Sequence, residues 1–219
     1  MLYEATFTVN LLVLLLITFA LTPVFTEEYR CKTAPLIAGC ERGRKKIAGI
    51  KIAAAVVFSL GMYVLVDIVL LLIFIAYYGC DWMAGGACLV NWIAVPRYMG
   101  LAIWQAYLLQ FFWGMLGILV MVAVSLFFSV LCKQTFLAMA GSLLFLGGGY
   151  VLPVILMQFR VPRWLMRLTG WAFECNPYYL MTSVSRGSYL GELWRLLLIA
   201  VLLVGVQYAV RERWGRQEG

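Results

Sequence analysis

An all-α, polytopic membrane helix bundle with about five crossings is the fold class this sequence predicts, and three observations carry that prediction. Hydrophobic residues make up 64% of the 219, the mean hydropathy is +0.94, and only 12% of residues are charged. A soluble domain carries about 25% charged residues. The apolar runs are also long and continuous rather than alternating every second residue, as helices in lipid require and barrel strands do not. Finally, ten of the twenty-seven charges fall within residues 26–51, TEEYRCKTAPLIAGCERGRKKIAGIK, between two runs of hydrocarbon.

A requirement of about 17–25 apolar residues per crossing selects five segments: residues 9–25, 50–78, 101–131, 136–157 and 193–210. The third and fourth are separated only by Cys132, Lys133, Gln134 and Thr135, which predicts a tight hairpin. Residues 1–10 hold no basic residue and no A-x-A site follows, so the start does not read as a signal peptide. The whole chain, 1–219, reads as one transmembrane domain.

The distribution of Lys and Arg sets the expected orientation, by the positive-inside rule. With the N-terminus outside and the C-terminus in the cytoplasm, the inner side receives eleven of the seventeen: seven in 26–51, then Lys133, Arg211, Arg213 and Arg216. Arg97, Arg160, Arg163, Arg167, Arg186 and Arg195 stay outside, several among Trp164, Trp171, Tyr178 and Tyr179. That mixture predicts outer helical pieces lying in the membrane interface with snorkelling arginines. The net charge of +7 is thus assigned to anionic lipid and not to nucleic acid.

Within the charged segment, Tyr29, Leu36 and Ile37 alternate with Glu27, Glu28, Arg30 and Lys32. This predicts a short surface helix over residues 27–40, ended by Gly39 and Gly43, with Glu28 favouring its start through the helix dipole. Pro35 limits that helix, because an interior proline breaks the ladder. A plain basic loop that only fixes topology is the other reading of these residues.

The register Glu28, Thr33, Leu36, Ile37, Arg44, Ile47 and Lys51 resembles the cytoplasmic loop of ABC-2 type transporter permeases, whose text is like ERExGTLELLLSTPxSRxxIxxGK. Lys32 stands where that family has Gly, and Glu41 where it has Pro. The later hairpin, the piece carrying Asn176, Pro177 and Tyr179, and the basic tail are similar to the same family's C-terminal half. The resemblance implies that the segment is a coupling helix docking onto a separate ABC ATP-binding subunit, with Glu27, Glu28, Arg30, Lys32, Thr33, Leu36, Ile37 and Arg44 as the coupling residues. It also implies a second permease copy or paralogue, a plasma-membrane location, and export of an unspecified substrate. Members of that family typically have six helices; five here imply a shortened member or a chain that starts late.

Asp67 is the sole acidic residue deep within a predicted span, where a charge costs at least about 2.5–3.5 kcal/mol. It is read as a hydrogen-bonded packing residue, with a transport path or subunit interface as the alternative and Gln105 and Gln110 as candidate partners. Gly147, Gly148 and Gly149 with Pro153 predict a close helix approach or a kink. Cys31, Cys40 and Cys132 fall on the inner side and Cys80, Cys88 and Cys175 on the outer, where Cys80 and Cys88 are either a small disulfide loop or free thiols.

Catalysis is not expected of this chain. It has no His, no C-x-x-C pair, no phosphate-binding G-x-x-x-x-G-K-[ST] loop and no paired membrane carboxylates. No catalytic residue, cofactor or metal site is therefore assigned, and any ATP hydrolysis belongs to a partner. A non-transporting membrane scaffold or assembly protein is the alternative function. An ion-coupled carrier is disfavoured by the scarcity of intramembrane acid and the lack of an inverted repeat.

Overall fold

The computed structural model describes residues 2–31, 43–79, 103–132, 134–158, 199–201 and 203–208. Among these, all regular structure is helical: α1 (Leu2–Leu21), α2 (Pro23–Arg30), α3 (Gly43–Tyr78), α4 (Ile103–Leu131), α5 (Thr135–Gln158) and a short apolar helix α6 (Ile199–Tyr208).

Three helical stretches are long and apolar enough to cross a membrane: Thr8–Glu28, Lys46–Tyr77 and Gln110–Leu131. The first continues through α1 into α2 and runs past the predicted end at residue 25. It does so because Pro23 sits at the first position of α2, where its missing N–H costs no hydrogen bond and its fixed φ suits a helix. Glu27, Glu28 and Arg30 therefore belong to the last turns of α2 and do not begin a separate surface helix. Glu28 lies near a helix end, so the expected dipole benefit at a helix start does not apply to it.

Gly43 was expected to close a helix and instead opens α3. The basic run Arg44, Lys45 and Lys46 is thus in the first turn of α3, ahead of the predicted boundary at residue 50, because Arg and Lys are good helix formers. At about 1.5 Å per residue, the 36 residues of α3 span about 54 Å, well beyond a hydrocarbon layer of about 30 Å. Arg44 and Lys45 precede the membrane-length apolar stretch of α3, Lys46–Tyr77. The other end stops at Gly79, whose φ of 76° places it in the left-handed region while its N–H donates to the Ile75 carbonyl at 2.9 Å. The α4–α5 hairpin is as tight as expected, with the Cys132 N–H donating to Phe128 and Ala138 N–H donating to Gln134.

α4 is the hub, touching α1, α2, α3 and α5. Of its most apolar stretch 67% is buried, against 22% for α3. The core joins Val13, Leu14, Ile17, Leu21 and Phe25 of α1 and α2, Ala48, Ile52, Ala55 and Tyr63 of α3, and Ile118, Met121, Leu126 and Val130 of α4. A smaller cluster packs Val120 and Val124 against Ile199 of α6. Val57, Leu65, Ile68, Leu72 and Ile73 on the outer side of α3 are exposed and apolar, as a lipid-facing surface is.

The expected close approach at Gly147 to Gly149 is not seen among the described residues: Gly147 has no neighbour within 4 Å, and Gly148 nears only Leu144 of its own helix. Close approach occurs at Gly114, against Tyr63, and at Gly141, against Phe128.

Candidate functional site

Two polar nodes interrupt the apolar bundle. The inner node gathers where α1 meets α2. Thr18, Thr22 and Thr26 recur every four residues and so share one helix face. Each is almost fully buried, and each hydroxyl donates to the carbonyl four residues back. Such back-bonds satisfy a hydroxyl in a dry interior and bend the helix that carries them.

The break at Thr22 and Pro23 leaves backbone groups to be satisfied. Ser129 of α4 does this twice: its Oγ accepts the Phe25 N–H at 3.1 Å and donates to the Thr22 carbonyl at 2.7 Å. One turn further on, Thr26 Oγ1 lies 3.0 Å from Thr135 Oγ1 at the start of α5.

Lys51 enters the same node from α3. Its ammonium pairs with the Glu28 carboxylate, donates to the Val24 carbonyl at 2.8 Å, and lies 5.1 Å from the centre of the Phe25 ring. The side chains of Lys51 and Glu28 are 25% and 12% exposed. By contrast, the Arg30–Glu27 pair, 3.2 Å apart at i, i+3, is 75% and 47% exposed. Water screens a pair of that kind and it contributes little. Among the described coupling residues, Glu28 is built into the bundle. Glu27 and Arg30 are on its surface, and Arg44 is in the first turn of α3. Lys32, Thr33, Leu36 and Ile37 lie outside the described residues, as do Cys40, Cys80, Cys88 and Cys175, the outer arginines, and residues 176–179. Cys31 and Cys132 are free thiols.

The middle node lies between α3 and α4. Asp67 is 7% exposed, and the Tyr107 hydroxyl donates to its Oδ2 at 2.6 Å while lying 3.1 Å from its backbone carbonyl. Tyr63, one turn away on the same face, stacks on Phe111 with ring centres 5.5 Å apart and directs its hydroxyl toward the Phe111 carbonyl at 3.4 Å. Gln105 and Gln110 were candidate partners for Asp67; the partner seen is Tyr107, which sequence reasoning passed over because a tyrosine in a span reads as an aromatic first and a donor second. Chemically, this node is a part-buried phenol–carboxyl hydrogen bond that ties two helices.

The fold and the two nodes define a helical protein with three helices long and apolar enough to cross a membrane, joined by buried polar contacts. Comparison of the chain with protein-family models, curated proteins and solved structures found no match in any of them. The ABC-2 resemblance therefore rests on its own residues.

Proposed function

We propose that the chain is the transmembrane permease subunit of an ABC-2 type transporter, exporting a substrate with energy from ATP hydrolysed by a separate subunit. It crosses the plasma membrane five times, with the N-terminus outside and the C-terminus in the cytoplasm. It works beside a second permease copy or a paralogue.

The observation that carries this reading is the segment 26–51, where ten charges and the ABC-2 register sit between two membrane-length helices. The contact between Glu28 and Lys51, the first and last residues of that register, supports it. A loop that served only topology needs positive charge, but it does not need its two ends joined. In the permease reading, the charges keep the loop in water, Leu36 and Ile37 give a soluble motor an apolar grip, and the basic turn of α3 meets anionic headgroups at roughly 1 kcal/mol per cation.

The test is copurification. The wild-type chain is expected to capture an ABC ATP-binding subunit, and changing Leu36 and Ile37 together to Asp is expected to abolish capture with the helices still inserted. Arg44→Gln or Lys46→Gln alone is expected to weaken function only modestly. Full capture by the Leu36/Ile37 double variant would overturn the reading and favour the non-transporting scaffold.

A further inference from the structure

The segment between Glu28 and Lys51 is long, and its two stems leave the bundle on different helices. α1 passes into α2 through Thr22 and Pro23, and the missing proline N–H removes one bond from the helical ladder there. A load on the segment would bend the chain most easily at Thr22 and Pro23.

We propose that Lys51 is a positioning residue that locks α2 to α3, so that force on the intervening segment reaches both helices together and α2 pivots with α3 about the Thr22–Pro23 break. The source of that force is the motor of the proposed function, on which this inference rests. The lock itself is a property of this chain alone.

Three independent contacts of one ammonium support it. The Glu28 carboxylate, the Val24 carbonyl and the Phe25 ring all belong to α2 and all converge on Lys51. A lysine that served only topology would extend away from the bundle, and Lys46, more than a turn earlier on α3, is exposed. Lys51 turns inward, and an ion pair this sheltered is screened far less than a surface pair. On the opposite side, Ser129 spans the break with a single short hydroxyl, binding one group on each side of Pro23. α2 is thereby held to α4 through Ser129 and to α3 through Lys51, which is how a pivot with a tether is arranged.

Hydrogen exchange read by mass spectrometry on the full chain in lipid nanodiscs tests the lock without any motor. Lys51→Met is expected to speed exchange of the amides at residues 26–31 at least tenfold, with residues 115–130 unchanged. Glu28→Gln keeps an acceptor but loses the charge, and is expected to give a smaller increase in the same amides. It decides the question if Lys51→Met fails to assemble. Unchanged exchange at 26–31 in the assembled variants overturns the lock.

Capture of the ATP-binding subunit separates the two ideas. Faster exchange in the variants with no capture by wild type keeps the lock and removes the motor. Capture by wild type with unchanged exchange removes the lock alone.

Discussion

Substituting Gly114 by Ala tests the α3–α4 packing through the sign of a stability change. A Cβ built at Gly114 would lie 2.0 Å from Tyr63 Oη and 2.6 Å from its Cζ. Against an ordinary contact of roughly 3.5 Å, the first overlap is about 1.5 Å. Tyr63 cannot easily yield, since it is 2% exposed and stacked on Phe111. Overpacking of this kind costs about 1–3 kcal/mol, and the size of the overlap argues for the upper end. Ala in a helix otherwise gains about 0.5–1 kcal/mol over Gly. The net is a loss of about 2 kcal/mol, or about 4–8 °C in Tm for a chain of this length. Gly61, with no neighbour within 4 Å, is the internal control: Gly61→Ala is expected to be neutral or slightly stabilising. Melting of the purified protein in detergent measures both. In a Tyr63→Leu background the cost of Gly114→Ala is expected to disappear, because the atoms it strikes are gone. A Gly114→Ala protein that melts at or above the wild type refutes the packing argument.

Ser129→Ala removes both hydrogen bonds of the Ser129 hydroxyl across the break and is expected to cost about 1–3 kcal/mol in the same melting assay; no change there would mean that the break is satisfied some other way. Asp67→Asn keeps an acceptor for Tyr107 and is expected to preserve assembly and most transport-linked ATPase activity, whereas complete loss of activity in a well-assembled variant would show that the charge is used. Tyr107→Phe removes the donor to Asp67 and is expected to destabilise by about 1.5–3 kcal/mol, measured by melting. For the orientation, an impermeant thiol reagent on intact cells is expected to label a cysteine placed at Gly85 and not one at Gly43; the reverse pattern inverts the proposed topology.

Three membrane-length helices of the five predicted crossings were legible in the sequence, because lipid imposes a length and runs of hydrocarbon reveal it directly. Which face of each helix meets its neighbours was not legible by the usual rule, because core and lipid faces are equally apolar. Leu14 and Ile17 are buried while Leu12 and Leu16 are exposed, and nothing in their side chains distinguishes them. The usable signal is the inverse of the one in soluble proteins: the small polar residues mark the inside. Thr18, Thr22 and Thr26 on one helix and Ser125 and Ser129 on another recur at four-residue spacing, and all are buried. Reading that stripe would have located the inner node from the sequence alone.

Lys51 shows why the charged loop was harder to read than the spans. Counted with its neighbours, it is one of seven basic residues that orient the chain, and the count is indifferent to which of them reaches water. Position along the helix makes the difference. Lys46 lies in the first turn of α3 and is exposed, whereas Lys51 lies more than a turn deeper, where the side chain must either snorkel past the headgroups or find an anion on a neighbouring helix. Glu28 is the complementary case on α2: an acid carried into the bundle by a helix that outlasts its hydrocarbon. Each is costly alone in so sheltered a setting, and the pairing offsets part of that cost. A loop whose two ends are a matched acid and base on adjacent helices is therefore stabilised at its base by the same charges that a simple count assigns to topology.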